Sequence, residues 1–366
     1  MSATGKSFPD FMHAAIRAIE YYLPEKVLST SDLAAEFPDW SVAKIDSKTG
    51  ITERHIARAN EFSSDLAAAA AEKLFASGAC RPGDVDFILF CTQSPDYFLP
   101  TTACLLQDRL GIPTNAGALD FNLGCSGFIY GLGLAQGLIA SDQASRVLLL
   151  TAETYSKFIH PQDRSVRTIF GDAGAATLLV ATDAAEPLIG PFVYGTDGKG
   201  GPNLIVPCGA MRRPHNAESA VTKEDESGNL RSDDNLFMNG GEIFGFTLRA
   251  VPQSVEALLT RSGKRMEDVD LFVFHQANQY MLDHLRRRIN IPEEKFQVAM
   301  SHCGNTVSCT IPIALKSALA EGRLKAGSHA MLVGFGVGYS WGATLLRWSS
   351  EAYPSGDRRF DESNSN

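Results

Sequence analysis

The chain has 366 residues, 44% of them apolar and 20% charged, with a formal net charge of −9. This length holds two packed domains or one large double one, and the composition is that of an ordinary globular protein. The acidic balance excludes bulk nucleic-acid binding, so an acidic partner needs a local basic patch.

In chain order, Ala15 to Ile19 predicts a strand and Ser29 to Phe37 the start of a helix. Thr49-Gly50-Ile51 and Arg54-His55-Ile56 read as a loop and strand. Ser64 to Ala76 reads as an alanine-rich helix, broken by Arg81-Pro82-Gly83-Asp84. Val85 to Cys91 is an unbroken apolar run, the pattern of a strand covered on both faces. Thr102 to Leu110 is helical and ends at Gly111-Ile112-Pro113. Ala118 to Phe121 reads as a short buried strand and Phe128 to Ala140 as an apolar, glycine-spaced helix. Arg146 to Ala152 and Gly171 to Val180 are further strands. The segment from Phe121 to Ala140 is apolar enough to raise a membrane span. Asn122, Gln136, five glycines and the lack of a close basic flank favour a buried core helix instead. No apolar core follows a basic start, so no signal peptide is evident.

A repeat spans about half the chain and predicts two similar α/β halves. Asp84-Val85-Asp86-Phe87-Ile88-Leu89-Phe90-Cys91 is matched by Asp268-Val269-Asp270-Leu271-Phe272-Val273-Phe274-His275. The strand and helix around Cys125 are echoed by Phe296 to Ala320, with Asn305 near the place of Cys125. Ala175-Ala176-Thr177-Leu178-Leu179 is echoed by Gly342-Ala343-Thr344-Leu345-Leu346. The expected organisation is a first half over 1–190, an inserted loop or cap over 191–245, a second half over 246–350 and a disordered tail over 351–366. The inserted segment is rich in Gly, Asn, Asp and Glu over 195–242.

The seven cysteines are odd in number and form no CxxC pair, so they suggest neither a disulfide framework nor a metal site, and they fit a reducing cytoplasm. Cys125 stands apart, in Phe121-Asn122-Leu123-Gly124-Cys125-Ser126-Gly127-Phe128, between predicted strand and helix. The positive end of a helix dipole favours thiolate, which predicts a lowered thiol pKa and a nucleophile. Free cysteine is also among the most buried residue types, so this stretch alone leaves both readings open. His275 ends a buried strand inside Phe274-His275-Gln276-Ala277-Asn278, and Asn305 sits in His302-Cys303-Gly304-Asn305-Thr306. Taken singly, a strand-end histidine and a helix-capping asparagine are the simpler readings, and His302 and Cys303 are rivals. Together at corresponding chain ends, the three predict one pocket. A histidine there serves a thiolate as base or donor, and an asparagine offers a fixed neutral donor to developing negative charge. Gly334-Phe335-Gly336-Val337-Gly338-Tyr339-Ser340-Trp341-Gly342 reads as a glycine-rich turn between two strands. Its backbone amides would complete an oxyanion hole with the amide of Cys125. It lacks the lysine and following helix of a phosphate loop.

On these residues the chain resembles the β-ketoacyl-acyl-carrier-protein synthase III family of the thiolase-like superfamily, over roughly 14–348. The motifs that carry the resemblance are Gly124-Cys125-Ser126-Gly127-Phe128, His275-Gln276-Ala277-Asn278, Gly304-Asn305-Thr306, and Gly336-Val337-Gly338 with Trp341-Gly342. Gly171-Asp172-Ala173-Gly174-Ala175 and Lys48-Thr49-Gly50-Ile51 also fit. The resemblance implies a five-layered αβαβα fold of two similar halves, usually a cytoplasmic homodimer, without a membrane or nucleic-acid partner. It implies that Cys125 takes an acyl group from an acyl-CoA. His275 and Asn305 then promote decarboxylation of malonyl-acyl carrier protein, and the carbanion gives a 3-oxoacyl thioester. The backbone amides of Cys125 and Val337 are implied as the oxyanion hole. Trp40 and Arg164 are implied as the clasp for the coenzyme A adenine, with Lys48, Met238 and Asn278 also substrate-binding and Leu99 closing the acyl pocket across a dimer. No cofactor is implied beyond the coenzyme A and phosphopantetheine of the substrates. Where members often carry a lysine and an arginine for docking the carrier, this chain has Gly245 and Tyr280, while Arg287 and Arg288, on a predicted helix from Gln279 to Ile289, match a basic pair. The alternatives are an acyltransferase passing the Cys125 acyl group to an oxygen or nitrogen acceptor without decarboxylation, and a non-catalytic partner subunit. The presence of His275 and Asn305 favours condensation.

Overall fold

The structure, a computed structural model, describes residues 12–349, so the tail expected at 351–366 lies outside the described residues. The first half contains strands β1 (His13–Tyr22), β2 (Lys26–Ser29), β3 (Glu53–Ile56), β4 (Phe87–Cys91), β5 (Gly117–Phe121), β6 (Arg146–Glu153) and β7 (Ala173–Thr182). Its helices are α1 (Thr30–Glu36), α2 (Val42–Thr49), α3 (Ser63–Ala76), α4 (Thr102–Arg109), α5 (Gly127–Ala140) and the short α6 (Arg164–Arg167). The chain continues through β8 (Ile189–Thr196), β9 (Leu204–Ile205), β10 (Lys223–Glu224), β11 (Leu230–Arg231) and β12 (Phe237–Met238). The remainder holds α7 (Gly240–Ser262), β13 (Leu271–Phe274), α8 (Gln279–Ile289), α9 (Thr310–Ala320), β14 (His329–Gly336) and β15 (Ser340–Arg347).

One sheet runs β1-β7-β6-β4-β5 and the other β13-β14-β15-β8. Their strand directions correspond. β4 is parallel to β6 as β13 is to β14, and β6 is antiparallel to β7 as β14 is to β15. β8 is antiparallel to β15 as β1 is to β7. The counterpart of β5 is reduced to a single parallel bridge between Phe272 and Phe296. The repeated aspartates explain part of the correspondence. Asp84 accepts from the Arg81 N–H at 3.0 Å and Asp268 from the Arg265 N–H at 2.9 Å, each closing the turn before its strand. Asp86 accepts from the Arg146 N–H at 2.9 Å and Asp270 from the His329 N–H at 2.8 Å, each fixing the start of the neighbouring parallel strand.

Period-two alternation along the strands divides the core into layers. Leu89, Val147, Leu149, Leu271, Val273, Ala330 and Leu332 face a central layer made by α5 and α9. Ile88, Phe90, Leu148 and Leu150 face α3 and α4 on the outside of the first sheet. Phe272, Phe274, Met331 and Val333 face α7 and α8 outside the second. The result is five layers, αβαβα. The apolar α5 is buried between sheets, with Gln136 accepting from the Ala14 N–H at 2.9 Å. Among the described residues no helix is long and apolar enough to cross a membrane.

The boundaries expected around the insertion need correction. β8 lies at Ile189–Thr196 and is the edge strand of the second sheet, so the second half starts at Ile189, just before the segment expected as a loop at 191–245, and takes its first residues. Helix α7 already begins at Gly240. The excursion between them is a set of short strands and turns fastened to the body.

Close backbone approach sets one stability test. A Cβ on Gly174 in β7 would lie 2.2 Å from the Leu66 carbonyl oxygen of α3, whereas one on the exposed Gly137 of α5 meets nothing within 4 Å. In chemical denaturation, Gly174→Ala is expected to destabilise by about 1–3 kcal/mol, and Gly137→Ala to stabilise by about 0.5–1 kcal/mol.

Candidate active site

Cys125, His275 and Asn305 line one cavity of about 250 Å³. Cys125 sits between β5 and α5 in a turn that only small residues allow. A Cβ on Gly127 would lie 2.2 Å from the Cys91 sulfur, and one on Gly124 would lie 2.5 Å from the Gln93 side-chain oxygen. The stretch expected as a long glycine-rich turn is shorter. β14 runs to Gly336 and β15 begins at Ser340, leaving Val337-Gly338-Tyr339 as the turn. Gly334 and Gly336 are strand residues that let the start of α5 pack closely. A Cβ on Gly336 would lie 2.9 Å from the Cys125 sulfur.

The thiol contradicts the expectation of a lowered pKa. Burial, reinforced by the nearby Glu153, pushes the Cys125 thiol up to about 12, while hydrogen bonds from the backbone amides of Cys125 and Val337 pull it back down. The helix end does supply donors, but desolvation of the anion outweighs them in this cavity. Those two amides are the pair expected to form the oxyanion hole.

His275 follows β13, its N–H held by the Val333 carbonyl at 2.8 Å. Burial pushes its pKa down to about 3, so the ring is neutral. Its Nδ1 lies 2.8 Å from the Thr310 hydroxyl, which is itself 2.9 Å from the Val307 carbonyl. With the hydroxyl proton on Val307, Thr310 accepts from Nδ1–H and Nε2 carries a lone pair. With the proton turned to Nδ1, Nε2–H is a donor. One hydroxyl rotation therefore selects the tautomer.

Asn305 is held on both sides of its backbone. Its N–H donates to the Ile169 carbonyl at 2.9 Å, and its carbonyl accepts from the Gly171 N–H at 3.1 Å. Its side-chain oxygen accepts from the Val307 N–H at 2.9 Å. The amide group is left as the free donor end, with one long contact of 3.4 Å to the Ala277 carbonyl. The rivals fall elsewhere. Cys303 packs with Cys309 and Ile313 away from the cavity, and His302 is exposed.

Met238 and Asn278 line the cavity, Asn278 also capping α8 by accepting from the Met281 N–H at 2.8 Å. Met238 on β12 pairs with Leu204 on β9, so the inserted segment builds one wall. The guanidinium of Arg164 lies 5.9 Å from the centre of the Trp40 ring, and Lys48 Nζ lies 5.7 Å from it. Leu99 is 82% exposed and lines no part of this cavity. Arg287 and Arg288 are exposed at the end of α8, with Arg288 donating to the Leu248 carbonyl at 3.1 Å, whereas Arg286 turns away to Glu293 at 3.2 Å.

Three residues of this site were not singled out from the sequence, although Phe335 lies within the glycine-rich stretch. Thr310 reaches His275 only across the fold. Phe335 stands edge-on to the His275 ring, with ring centres 5.4 Å apart. Glu153 is fully buried behind the site, accepting from the Gln93 N–H at 3.0 Å and the Ser308 hydroxyl at 2.9 Å, and burial pushes its carboxyl up to about 8.

Residues 119–198 match the family model described as 3-oxoacyl-[acyl-carrier-protein (ACP)] synthase III, and 259–348 match the model of its C-terminal region. The chain is 36% identical over 336 residues to a β-ketoacyl-[acyl-carrier-protein] synthase III of Caldanaerobacter subterraneus, covering 92% of this chain and 98% of that protein. It is similar to a 2.1 Å crystal structure of a 3-oxoacyl-(acyl-carrier-protein) synthase III, at 55% identity and a TM-score of 0.91 over 92% of this chain and all of that one. The priming β-ketosynthase of the R1128 polyketide pathway is similar with a TM-score of 0.81 at 27% identity, over 94% of this chain and 99% of that one.

The raised thiol gives a pH test on the ligand-free protein. A thiol pushed up to about 12 is still protonated at pH 9, so alkylation of Cys125 by iodoacetamide is expected to keep accelerating from pH 6 to pH 10. A plateau below pH 8 would contradict the burial argument.

Proposed function

The chain belongs to the β-ketoacyl-acyl-carrier-protein synthase III family, and we propose that the cavity holding Cys125, His275 and Asn305 is where it condenses its two thioesters. The enzyme is a condensing transferase of thiolase-like fold. It joins an acyl-CoA primer to malonyl-acyl carrier protein with loss of carbon dioxide. The observation that carries the assignment of roles is the donor geometry. Cys125, His275 and Asn305 share one cavity, and the Val307 N–H holds the Asn305 side-chain oxygen so that its amide is the donor end.

In the first half-reaction the Cys125 proton passes to the Nε2 lone pair of His275 as sulfur attacks the thioester carbonyl. The tetrahedral oxyanion is held by the amides of Cys125 and Val337. Its collapse breaks the bond to the coenzyme A sulfur, which leaves as the thiol with the proton from His275. In the second, the malonyl carboxylate leaves as carbon dioxide and its bonding electrons form an enolate. Nε2–H of His275 and the Asn305 amide donate to the enolate oxygen. The carbanion attacks the acyl carbonyl, the Cys125 sulfur is expelled as thiolate to release a 3-oxoacyl thioester, and the thiolate takes up a proton from solvent to restore the thiol. Trp40 and Arg164 bind the adenine end of coenzyme A, Met238 and Asn278 flank the pantetheine arm, and Lys48 adds charge at the mouth. Coenzyme A and phosphopantetheine arrive with the substrates, so no resident cofactor is needed, and a cytoplasmic setting supplies both.

A homodimer is part of this reading. The strand β5 is a sheet edge, and the nearby Tyr97, Phe98 and Leu99 are 62%, 77% and 82% exposed, which favours a second copy as cover. Leu99 would then close the acyl pocket of the partner. Arg287 and Arg288 are the exposed cations for an acidic carrier protein, acting mainly on association rate.

The roles separate in two experiments. Cys125→Ala is expected to retain no acyl group from any acyl-CoA by mass spectrometry. Asn305→Ala is expected to acylate at Cys125 yet release carbon dioxide from malonyl thioester about 100- to 1,000-fold more slowly. Normal release by Asn305→Ala would exclude this role for Asn305, whereas transfer by the parent protein to an oxygen or nitrogen acceptor without release would point to the acyltransferase reading.

Thr310 offers a finer test. Thr310→Val removes the hydroxyl that sets the His275 tautomer and is expected to slow carbon dioxide release about ten-fold, while Thr310→Ser keeps the parent rate. Equal rates in both variants would show that the hydroxyl does not act through His275.

A further inference from the structure

The inserted hairpin of β10 and β11 bears directly on Arg164. The Arg164 guanidinium lies between the Phe37 and Trp40 rings, 6.0 and 5.9 Å from their centres, and the hairpin turn, donating from Nη2 to the Ser227 carbonyl at 2.7 Å. The turn is rigid by construction. The Asp225 carboxylate accepts from the N–H groups of Ser227 and Asn229, each at 2.9 Å, and from the Asn229 side chain at 3.1 Å. Arg231 then spans two carboxylates. It donates to Asp225 and, at 2.6 Å, to Asp163, which is fully buried and is the residue before Arg164. The Leu230 N–H also donates to the Gln162 carbonyl at 3.4 Å. The hairpin is thus fastened to the same short segment that carries Arg164. Gly228 completes the contact. Its φ is +75°, and a Cβ there would lie 2.8 Å from Arg164 Nη2.

Resting on the proposal that coenzyme A thioesters enter this site, we infer that the hairpin is a positioning element that fixes the Arg164 guanidinium over Trp40 for stacking of the adenine base. A free arginine side chain must be immobilised when its ligand binds. One already held by a carbonyl, beside an indole ring, is ordered beforehand. The Asp163–Arg231–Asp225 chain transmits the fixed position of the body to Ser227, and Ser227 transmits it to Arg164. The inserted segment therefore acts on both ends of the thioester, Leu204 and Met238 lining the reacting cavity and Ser227 and Gly228 setting the nucleotide end.

The test uses protection of Cys125 from iodoacetamide by desulfo-CoA and by desulfo-pantetheine, which lacks the adenosine. In both Asp225→Ala and Gly228→Ala the half-protecting concentration of desulfo-CoA is expected to rise roughly three- to ten-fold, while that of desulfo-pantetheine stays put. The pantetheine arm also reports that each variant is folded at the cavity. Adding Asp225→Ala to Arg164→Ala is expected to cost nothing further, because the turn acts only through that guanidinium. Unchanged desulfo-CoA protection in the single variants, equal loss with both probes, or additive loss in the double variant would overturn the inference and leave the proposed function standing. Failure of desulfo-CoA to protect the parent protein would overturn both.

Discussion

The site depends on burying two helices between two sheets. α5 and α9 are apolar enough to be covered on both faces, so each sheet must present an apolar face inward. That packing aligns the two halves, because their strands share order and direction, and it brings equivalent chain ends to one pole. Cys125 stands at the start of α5, Asn305 in the approach to α9, and His275 just past the end of β13. Three residues far apart in sequence thereby share a cavity. The halves are stitched at that pole by backbone. The Asn305 N–H reaches the Ile169 carbonyl, and its carbonyl receives the Gly171 N–H. A Cβ on Gly171 would lie 2.3 Å from the Cys303 carbonyl, so this stitch tolerates no side chain there.

The same burial that gathers the residues also discharges them. A thiol pushed up to about 12 and an imidazole pushed down to about 3 form a neutral pair. A preformed thiolate–imidazolium pair would place two ions in a space with little water to solvate them. Proton movement between neutral partners avoids that cost at rest, so the His275 imidazolium forms only transiently, opposite the negative charge developing on substrate oxygen. Fixed donors are provided for that charge. Amides and a carboxamide carry no charge of their own, so they are cheap to bury when unoccupied and strong when an oxyanion arrives. Glu153 behind the site follows the same pattern, pushed up to about 8 in a nest of hydroxyl and amide donors.

What the sequence disclosed follows from the range of the forces involved. The Asp-x-Asp strand starts were legible because both aspartates act within a few residues or on the adjacent strand start, and the apolar runs after them mark strands covered on both faces. The glycines around Cys125 were legible as close approach, although what they approach, the Cys91 sulfur and Gln93, was not. β8 was missed because its start carries Gly190 and Pro191, residue types depleted in strands. Proline is admissible there because, among the described residues, β8 pairs only with β15 and is the last strand of its sheet. The direction of the Cys125 shift was misjudged because a helix dipole can be read from local sequence, whereas desolvation is set by Phe335, Gly336 and the opposite half. Thr310 stands 35 residues from His275 and Glu153 stands 155 from Ser308. No periodicity marks contacts of that span.

The insertion completes this logic at the other end of the substrate. A polar segment without its own core gains order only by fastening to one. Here the fastener is a buried carboxylate, Asp163, whose charge is met by Arg231 at 2.6 Å and by the Ser165 N–H at 3.0 Å. Removing Arg231 would leave the buried Asp163 charge without its counter-ion, a larger loss than that of a surface ion pair. Arg231 in turn holds Asp225, whose own carboxyl stays down at about 2 because backbone and side-chain donors surround it. A loop anchored in this manner is part of the rigid frame. Its short strands β9 and β12 can therefore wall the cavity beside Cys125, while its turn meets Arg164 beyond the cavity's edge.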